Sequence, residues 1–374
     1  MWKLQGPVMP YAWGSPTAIP EFFGKPAAGE PIAEVWYGAH AKGPATVLGI
    51  GGSDVPLDRV LRSRPYLLGD RVLAEHGPRL PFMVKLLAAA RPLSLQVHPD
   101  QGTASAGFER EEAGGLPLEA ASRTFRDPFH KPEVMLALGQ METLAGFRAV
   151  EEAERLLSAL SLPWADRVAD LLMDGDVGPA FQTLIDQDAW DAAAGEVLAR
   201  CGELASRDRA YHLVGHLHSH HPGDSGVVAP LMLNVVRYGP GEALFVPTGQ
   251  IHAHVQGFGV EVMAASDNVI RAGLTSKKVD KEALFETMTA HPQEPQLRRV
   301  TRDALELEVG EFSIEEWLPG DSLQRWGPSI LLALEHATFI NGMPLGRGEA
   351  VLMADGEELE VELGRVLGVH VPQG

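Results

Sequence analysis

A chain of 374 residues, 45% of them apolar, is long enough for roughly two or three cored domains. Its formal charge of -19 argues against a nucleic-acid partner, and it means that a small anionic substrate has to be held by a local group of Lys and Arg. Cys201, the only cysteine, excludes an internal disulfide, and no uninterrupted apolar run reaches membrane-spanning length, so no membrane partner is expected.

The opening stretch, "MWKLQGPVMPYAWGSPTAIPEFFG", has no basic segment followed by an apolar one, and a cytoplasmic location is expected. From there the 40 glycines and 28 prolines punctuate short apolar runs such as "GPATVLGIGG", "PYLLGD" and "GEALFVPTG". Regular punctuation of this kind predicts short strands in a sandwich or barrel. The run "LPFMVKLLAAARPLSLQVHPD" is broken by Lys85 and Arg91, and its end, "LSLQVHPD", reads as a strand stopped by a proline. Side chains alternate along a strand, so Ser94, Gln96 and His98 share one face. A further apolar run begins at Glu133 in "HKPEVMLAL".

Between about Ala149 and Pro222 the period changes. "VEEAERLLSALSLPWADRVADLLMDG" and the segment ending in "HLVGHLHSHH" carry apolar residues three and four apart, which predicts a helical segment interrupting the β material. Cys201, in "GEVLARCGELA", is expected to be a packed thiol. The cluster His212, His216, His218, His220 and His221 closes a helix without a nearby carboxylate in an apolar strand, and it is read as a helix end rather than a functional metal site.

After Pro222 the strand pattern resumes, and Gly241 to His252, "GEALFVPTGQIH", fits G-x5-P-x-G-x2-H. Glycines and Pro247 turn the chain at a rim, and the next strand aims His252 inward. This segment resembles the second motif of the cupin superfamily of small β-barrels. The H-x-H of the first cupin motif is replaced by Gln96-Val97-His98, and its early carboxylate is missing, so Glu133 is the nearest candidate. Together Gln96, His98, Glu133 and His252 make a mixed nitrogen and oxygen set of the kind that suits zinc. Near the end of the chain "GRGEAVLMADG" loosely echoes "GPGEALFVPTG" but is not followed by a histidine, so a second barrel without metal ligands is expected.

Longer segments carry a closer resemblance. "PYAWGS", "LPFMVKLLAAARPLSLQVHPD", "DPFHKPEVMLAL" and "IHAHVQGFGVEVMAASDNVIRAGLTSKKVD" resemble, in order from near residue 10 to about 290, the signature segments of the type I phosphomannose isomerases. The resemblance implies a mainly β fold of cupin-like jelly-roll barrels with an inserted α-helical domain. The expected division is 1–148 with 223–290 as the catalytic domain, 149–222 as the insertion and 291–374 as the C-terminal β domain. It further implies that Gln96, His98, Glu133 and His252 bind one Zn2+, that Arg271 acts in the active site, and that Ser94 and Lys85 hold a phosphate.

The implied reaction is an aldose–ketose interconversion of a sugar phosphate, which moves a proton between C1 and C2 through an enediol and needs both a metal and an acid/base. Lys131 and Arg271 are the candidate catalytic cations. Glu261 and Asp267 either transfer the proton or orient Arg271. Family members commonly carry a tyrosine where this chain has His254, two residues after the metal histidine; His254 either forms a polar wall of the pocket or competes as a ligand, and the wall is expected because four ligands already fill the set. Lys85, Lys131 and Arg271 could make a basic pocket inside the acidic protein, which Lys277 and Lys278 either join or, as expected, leave for solvent, and a monomer is expected. Two other readings remain at this point. His98, Glu133 and His252 alone make a set for an iron(II) cupin oxygenase, and a non-catalytic sugar-binding cupin would keep the barrel without the acid/base groups.

Overall fold

A computed structural model of the chain describes residues 1–305, 307–324 and 327–372. Its centre is one long strand, His252–Ala264, shared by two leaves of a sheet. Residues 257–264 pair with Phe82–Ala89 on one side and 259–263 with Glu133–Ala137 on the other, whereas 252–256 pair with Met141–Phe147, and His252 also with Gln96 of Leu95–Val97. Glu34–Tyr37 and Glu242–Val246 extend the first leaf, and Leu233–Tyr238 and Ile270–Gly273 extend the second.

The strand changes leaf at Gly257, whose φ is +133 and where an added Cβ would lie 2.5 Å from the Gln140 carbonyl oxygen. No L side chain adopts that conformation readily. Gly257→Ala is therefore expected to cost about 1–3 kcal/mol, read as a lowered urea midpoint at unchanged slope.

Alternation sorts the side chains of both leaves. From the first leaf Leu87, Ala89, Met135, Ala137, Leu244 and Val246 meet Met141, Ala145, Val236 and Tyr238 of the second in an apolar interior. The outward residues of the second leaf, including Leu95, Val97, Leu144, Ala253 and Val255, pack under a helical segment. Those of the first, including Val84, Leu86, Val134, Val260 and Val262, pack on another sheet. Each leaf thus has both faces covered, which explains why its strands read as continuous apolar runs.

The helical segment runs through Val150–Ser158, Pro163–Met173, Val177–Leu184, Gln187–Leu204 and Arg209–His220, where the 3.6-residue period predicted it. Asp186 and Asp208 cap their helices by accepting hydrogen bonds from the Ala189 and Ala210 amides. Cys201 is buried among these helices, and burial pushes its thiol up to about 12, so it is inert packing.

The covering sheet takes its strands from both ends of the chain, in the order Ser313–Trp317, Val366–His370, Ser329–Ala333, Ala350–Met353, Trp2–Gln5, Thr46–Ile50, Ser53–Pro56. Pairing therefore ties Trp2–Gln5 and residues 46–56 to the C-terminal strands, although they flank in sequence the first-leaf strand Glu34–Tyr37. "PYLLGD" departs from the strand expectation. Pro65–Leu68 is a 3-10 turn between the helices Leu57–Ser63 and Asp70–His76, with Leu67 and Leu68 both buried, a pattern that one face of a half-buried strand does not allow.

Candidate metal centre and substrate cleft

Strand register assembles the site. Gln96 is the cross-strand neighbour of His252 on one side and of Arg271 on the other. In the opposite leaf Lys85 faces Glu261, and Met263 lies between Met83 and Glu133. The turn Pro247–Gln250, with Gly249 at φ +78, brings the chain back so that the Gly249 amide donates to the His98 carbonyl at 2.8 Å, and His252 then opens the long strand. The inward faces of the two leaves thus bring together side chains as distant in sequence as Lys85 and Arg271.

At the centre lies Glu133, almost fully buried. Its Oε2 is 3.2 Å from His98 Nε2, and its Oε1 is 2.9 Å from His252 Nε2. Each imidazole donates its Nδ1–H to a backbone carbonyl, that of Asn268 at 2.7 Å for His98 and that of Gln250 at 3.0 Å for His252. Both Nε2 atoms are then lone pairs rather than donors. Neither carboxylate oxygen of Glu133 has a hydrogen-bond partner. A buried carboxylate between two imidazole lone pairs is costly unless a cation joins them, and nitrogen and oxygen donors of this kind fit Zn2+.

Gln96 completes the ring, with Nε2 3.3 Å from His252 Nε2 and Oε1 accepting from the Ser94 hydroxyl at 3.1 Å. Exchanging the two ends of this amide aims Oε1 at the cluster and leaves Nε2 donating to Ser94, so the residue can offer an oxygen ligand.

Electrostatics point the same way. Burial alone would raise the Glu133 carboxyl, but the charged groups around it, Lys131 first among them, outweigh it and hold the group well below the usual carboxylate range. Lys131 Nζ is 3.5 Å from Glu133 Oε2 and 3.2 Å from His98 Nε2. Burial, reinforced by Lys131, lowers the His98 imidazole to about 4. A histidine held neutral in the fold takes up protons more readily once unfolded. Its stabilisation is complete above the ordinary imidazole range near 6.5 and is lost as the pH falls through about 4. Zinc-stripped protein is therefore expected to lose stability steadily from about pH 6.5 to about pH 4, measured as the denaturation midpoint across that window; His98→Gln should flatten the slope.

Around the centre lie the remaining predicted residues. Lys85 donates to Glu261 at 2.9 Å, with Glu34 3.9 Å away and the Trp36 ring 5.4 Å from Nζ. Burial opposes both charges, yet each holds the other: Glu261 is lowered and Lys85 raised. His254 points inward beside His252, with Nδ1 3.0 Å from the Thr143 hydroxyl. Asp267 stands apart from the cluster. It accepts from His40 at 2.9 Å and Lys42 at 3.1 Å, and these partners overcome burial to keep it strongly acidic.

A cleft of about 750 Å³ opens beside the cluster and is bordered by Lys85, Lys131, Asp267 and Arg271. Two cleft residues absent from the site expectation are Arg126 and Lys277; burial and then Arg126 lower the Arg271 pKa, and burial, then Arg271 and Arg126, lower that of Lys277. No carboxylate pairs with these three cations among the described residues. Lys277 is exposed, as its sequence context suggested, but it is exposed into the cleft. Arg126 sits in irregular chain and gives no periodic signal.

Comparison with known proteins was decisive for the family. A family model of the type I phosphomannose isomerase catalytic domain matches residues 1–150. The Escherichia coli K12 mannose-6-phosphate isomerase is 36% identical over 383 residues, which cover 96% of this chain and 95% of that protein. The chain belongs to the type I phosphomannose isomerase family. Another member, from Schizosaccharomyces pombe, is 30% identical over 91% of this chain and 90% of its own. The Salmonella typhimurium mannose 6-phosphate isomerase crystallised with its substrate and zinc superposes with a TM-score of 0.89 at 30% identity, covering all of both chains. A zinc-bound mannose 6-phosphate isomerase gives 0.88 at 29% identity. The sheet-rich architecture with its helices is therefore that of the phosphomannose isomerases.

Proposed function

We propose that this chain is a zinc-dependent mannose-6-phosphate isomerase, interconverting mannose 6-phosphate and fructose 6-phosphate through an enediol. The observation that carries the reading is Glu133: a buried carboxylate neither of whose oxygens accepts a hydrogen bond, with the Nε2 lone pairs of His98 and His252 turned toward it at 3.2 and 2.9 Å. Gln96, His98, Glu133 and His252 are the proposed holders of one zinc ion. Bound there, zinc supplies a Lewis acid for the sugar oxygens that gain charge in the enediol.

The protein's own residues supply the rest. Lys131 and the Lys85–Glu261 pair stand beside the metal set and border or adjoin the cleft, so they are the proposed carriers of the proton that leaves one carbon and returns to the next. Asp267, fixed by His40 and Lys42, is proposed to hold the cleft wall rather than transfer the proton. Arg271 extends the row Gln96–His252 toward the cleft and is proposed to face the reacting end of the sugar. Ser94 and His254 are proposed to line the sugar site. The phosphate is proposed to rest on Arg126, Lys277 and the outer side of Arg271, three cations without carboxylate partners, rather than on Lys85, whose charge Glu261 and Glu34 already balance. A local basic pocket of this kind reconciles an anionic substrate with a net charge of -19.

The two leaves are read as a cupin-like jelly roll, residues 149–222 as a helical insertion, and the C-terminal strands, joined by Trp2–Gln5 and residues 46–56, as a second β domain without metal ligands. No helix among the described residues is long and apolar enough to cross a membrane, and a cytoplasmic monomer is the proposed state. The iron(II) oxygenase reading is not favoured, because Gln96 stands beside His252 where such a site keeps a position open. Metal analysis followed by a coupled assay with mannose 6-phosphate tests the function. Chelation is expected to abolish turnover and zinc to restore it; zinc-free protein isomerising at full rate overturns the mechanism.

A further inference from the structure

His254 is unexplained by the zinc set. It is 3% exposed, and its Nδ1 is taken by the Thr143 hydroxyl, which in turn lies 3.3 Å from the Tyr238 hydroxyl. Its Nε2 is buried without a hydrogen-bond partner, 4.0 Å from Glu261 Oε1. Glu133, His254 and Glu261 each offer a ligand atom within 4.8 Å of the others, and all three are buried. Two metal-bonded donors about 2.1 Å from one ion stand some 3–4 Å apart, which is the spacing found between His254 and Glu261.

We propose that Glu133, His254 and Glu261 form a second divalent-cation site, adjoining the zinc site and sharing Glu133 with it. It goes beyond the isomerase reading, and that reading stands or falls without it. Charge sets its strength. Glu34, Glu133 and Glu261 face Lys85 and Lys131, so the surroundings carry one net negative charge before any ion enters, and the first zinc reverses it. Lys85 also occupies the other oxygen of Glu261. The second ion therefore binds on the order of 100-fold more weakly than the first, and without it His254 keeps its place as a wall of the pocket. Through the shared carboxylate an ion at His254 lies beside the first, as in two-metal sites that act on one substrate.

The test titrates protein carrying one zinc with Co2+, following heat and the visible absorption of ligated cobalt. The expected result is one further, weaker equivalent. It disappears in His254→Phe and in Glu261→Gln, while both variants keep the first zinc. Glu261→Gln preserves shape and decides the matter should His254→Phe fail to fold. The half-buried His216 and the exposed His220, with ring centroids 5.0 Å apart on one helix, are the competing source of an extra ion. Three results each overturn the proposal: saturation at one equivalent in the parent protein, persistence of the second equivalent in Glu261→Gln, or its loss in the double variant His216→Ala, His220→Ala.

Discussion

Glu133→Ala is expected to empty the zinc site and lower turnover by on the order of 10³-fold or more. The residue contributes two oxygens without hydrogen-bond partners at the centre of the cluster and lies within 3.2 Å of His98 and 2.9 Å of His252. Its removal leaves two neutral imidazoles and an amide, a set without charge to offset the desolvation of a divalent ion. Lys131, which lies 3.5 Å from the carboxylate, would then add repulsion. Glu133→Gln keeps the shape and removes the charge, so it should retain zinc only weakly and recover activity partly at high zinc concentration. Elemental analysis beside the coupled assay separates these cases. Stoichiometric zinc in Glu133→Ala would show that the carboxylate is not a ligand.

The second large effect is expected at Arg271. Arg271→Ala should lower kcat by about 10²–10³-fold, the usual cost of removing one preorganised donor from a developing charge, and leave zinc content unchanged. Arg271 is the cross-strand partner of Gln96, so its side chain leaves the sheet beside the metal set without belonging to it. It borders the cleft with Arg126 and Lys277 and has no carboxylate partner among the described residues. Removing it therefore leaves no buried charge unpaired, and folding stability should change little. Arg271→Lys restores charge but not the planar pair of donors and should recover only part of the rate. Loss of zinc on substitution would instead assign Arg271 a structural place.

What could be read from residues alone followed the range of the physics. Alternation is local, and it places Gln96 with His98 and His252 with His254; all four side chains do point into one interior. Helical period is local too, and it marks the helices from Val150 to His220. Register is not local. That Lys85 lies against Glu261, or that Trp2–Gln5 enters the sheet of Ala350–Met353, depends on which strands meet after the chain has folded. "PYLLGD" failed for a related reason, since a short apolar run looks alike in a strand and in a buried helical turn, and Pro65 turned it into the latter. Arg126 escaped because a cation in irregular chain has no period to reveal its direction.

The place of Trp2–Gln5 has a consequence for how the molecule is made. In the covering sheet this strand lies between Ala350–Met353 and Thr46–Ile50, with Lys3 opposite Val351. A ribosome working at about 5–20 residues per second delivers its partner roughly 20–70 s later. Through that interval one edge of the strand has no final neighbour, and the outward face of the first leaf, with Val84, Leu86, Val260 and Val262, lacks its full cover. The nascent chain is thus expected to depend on holding factors late in synthesis, and premature termination before residue 350 should yield aggregate rather than a smaller enzyme.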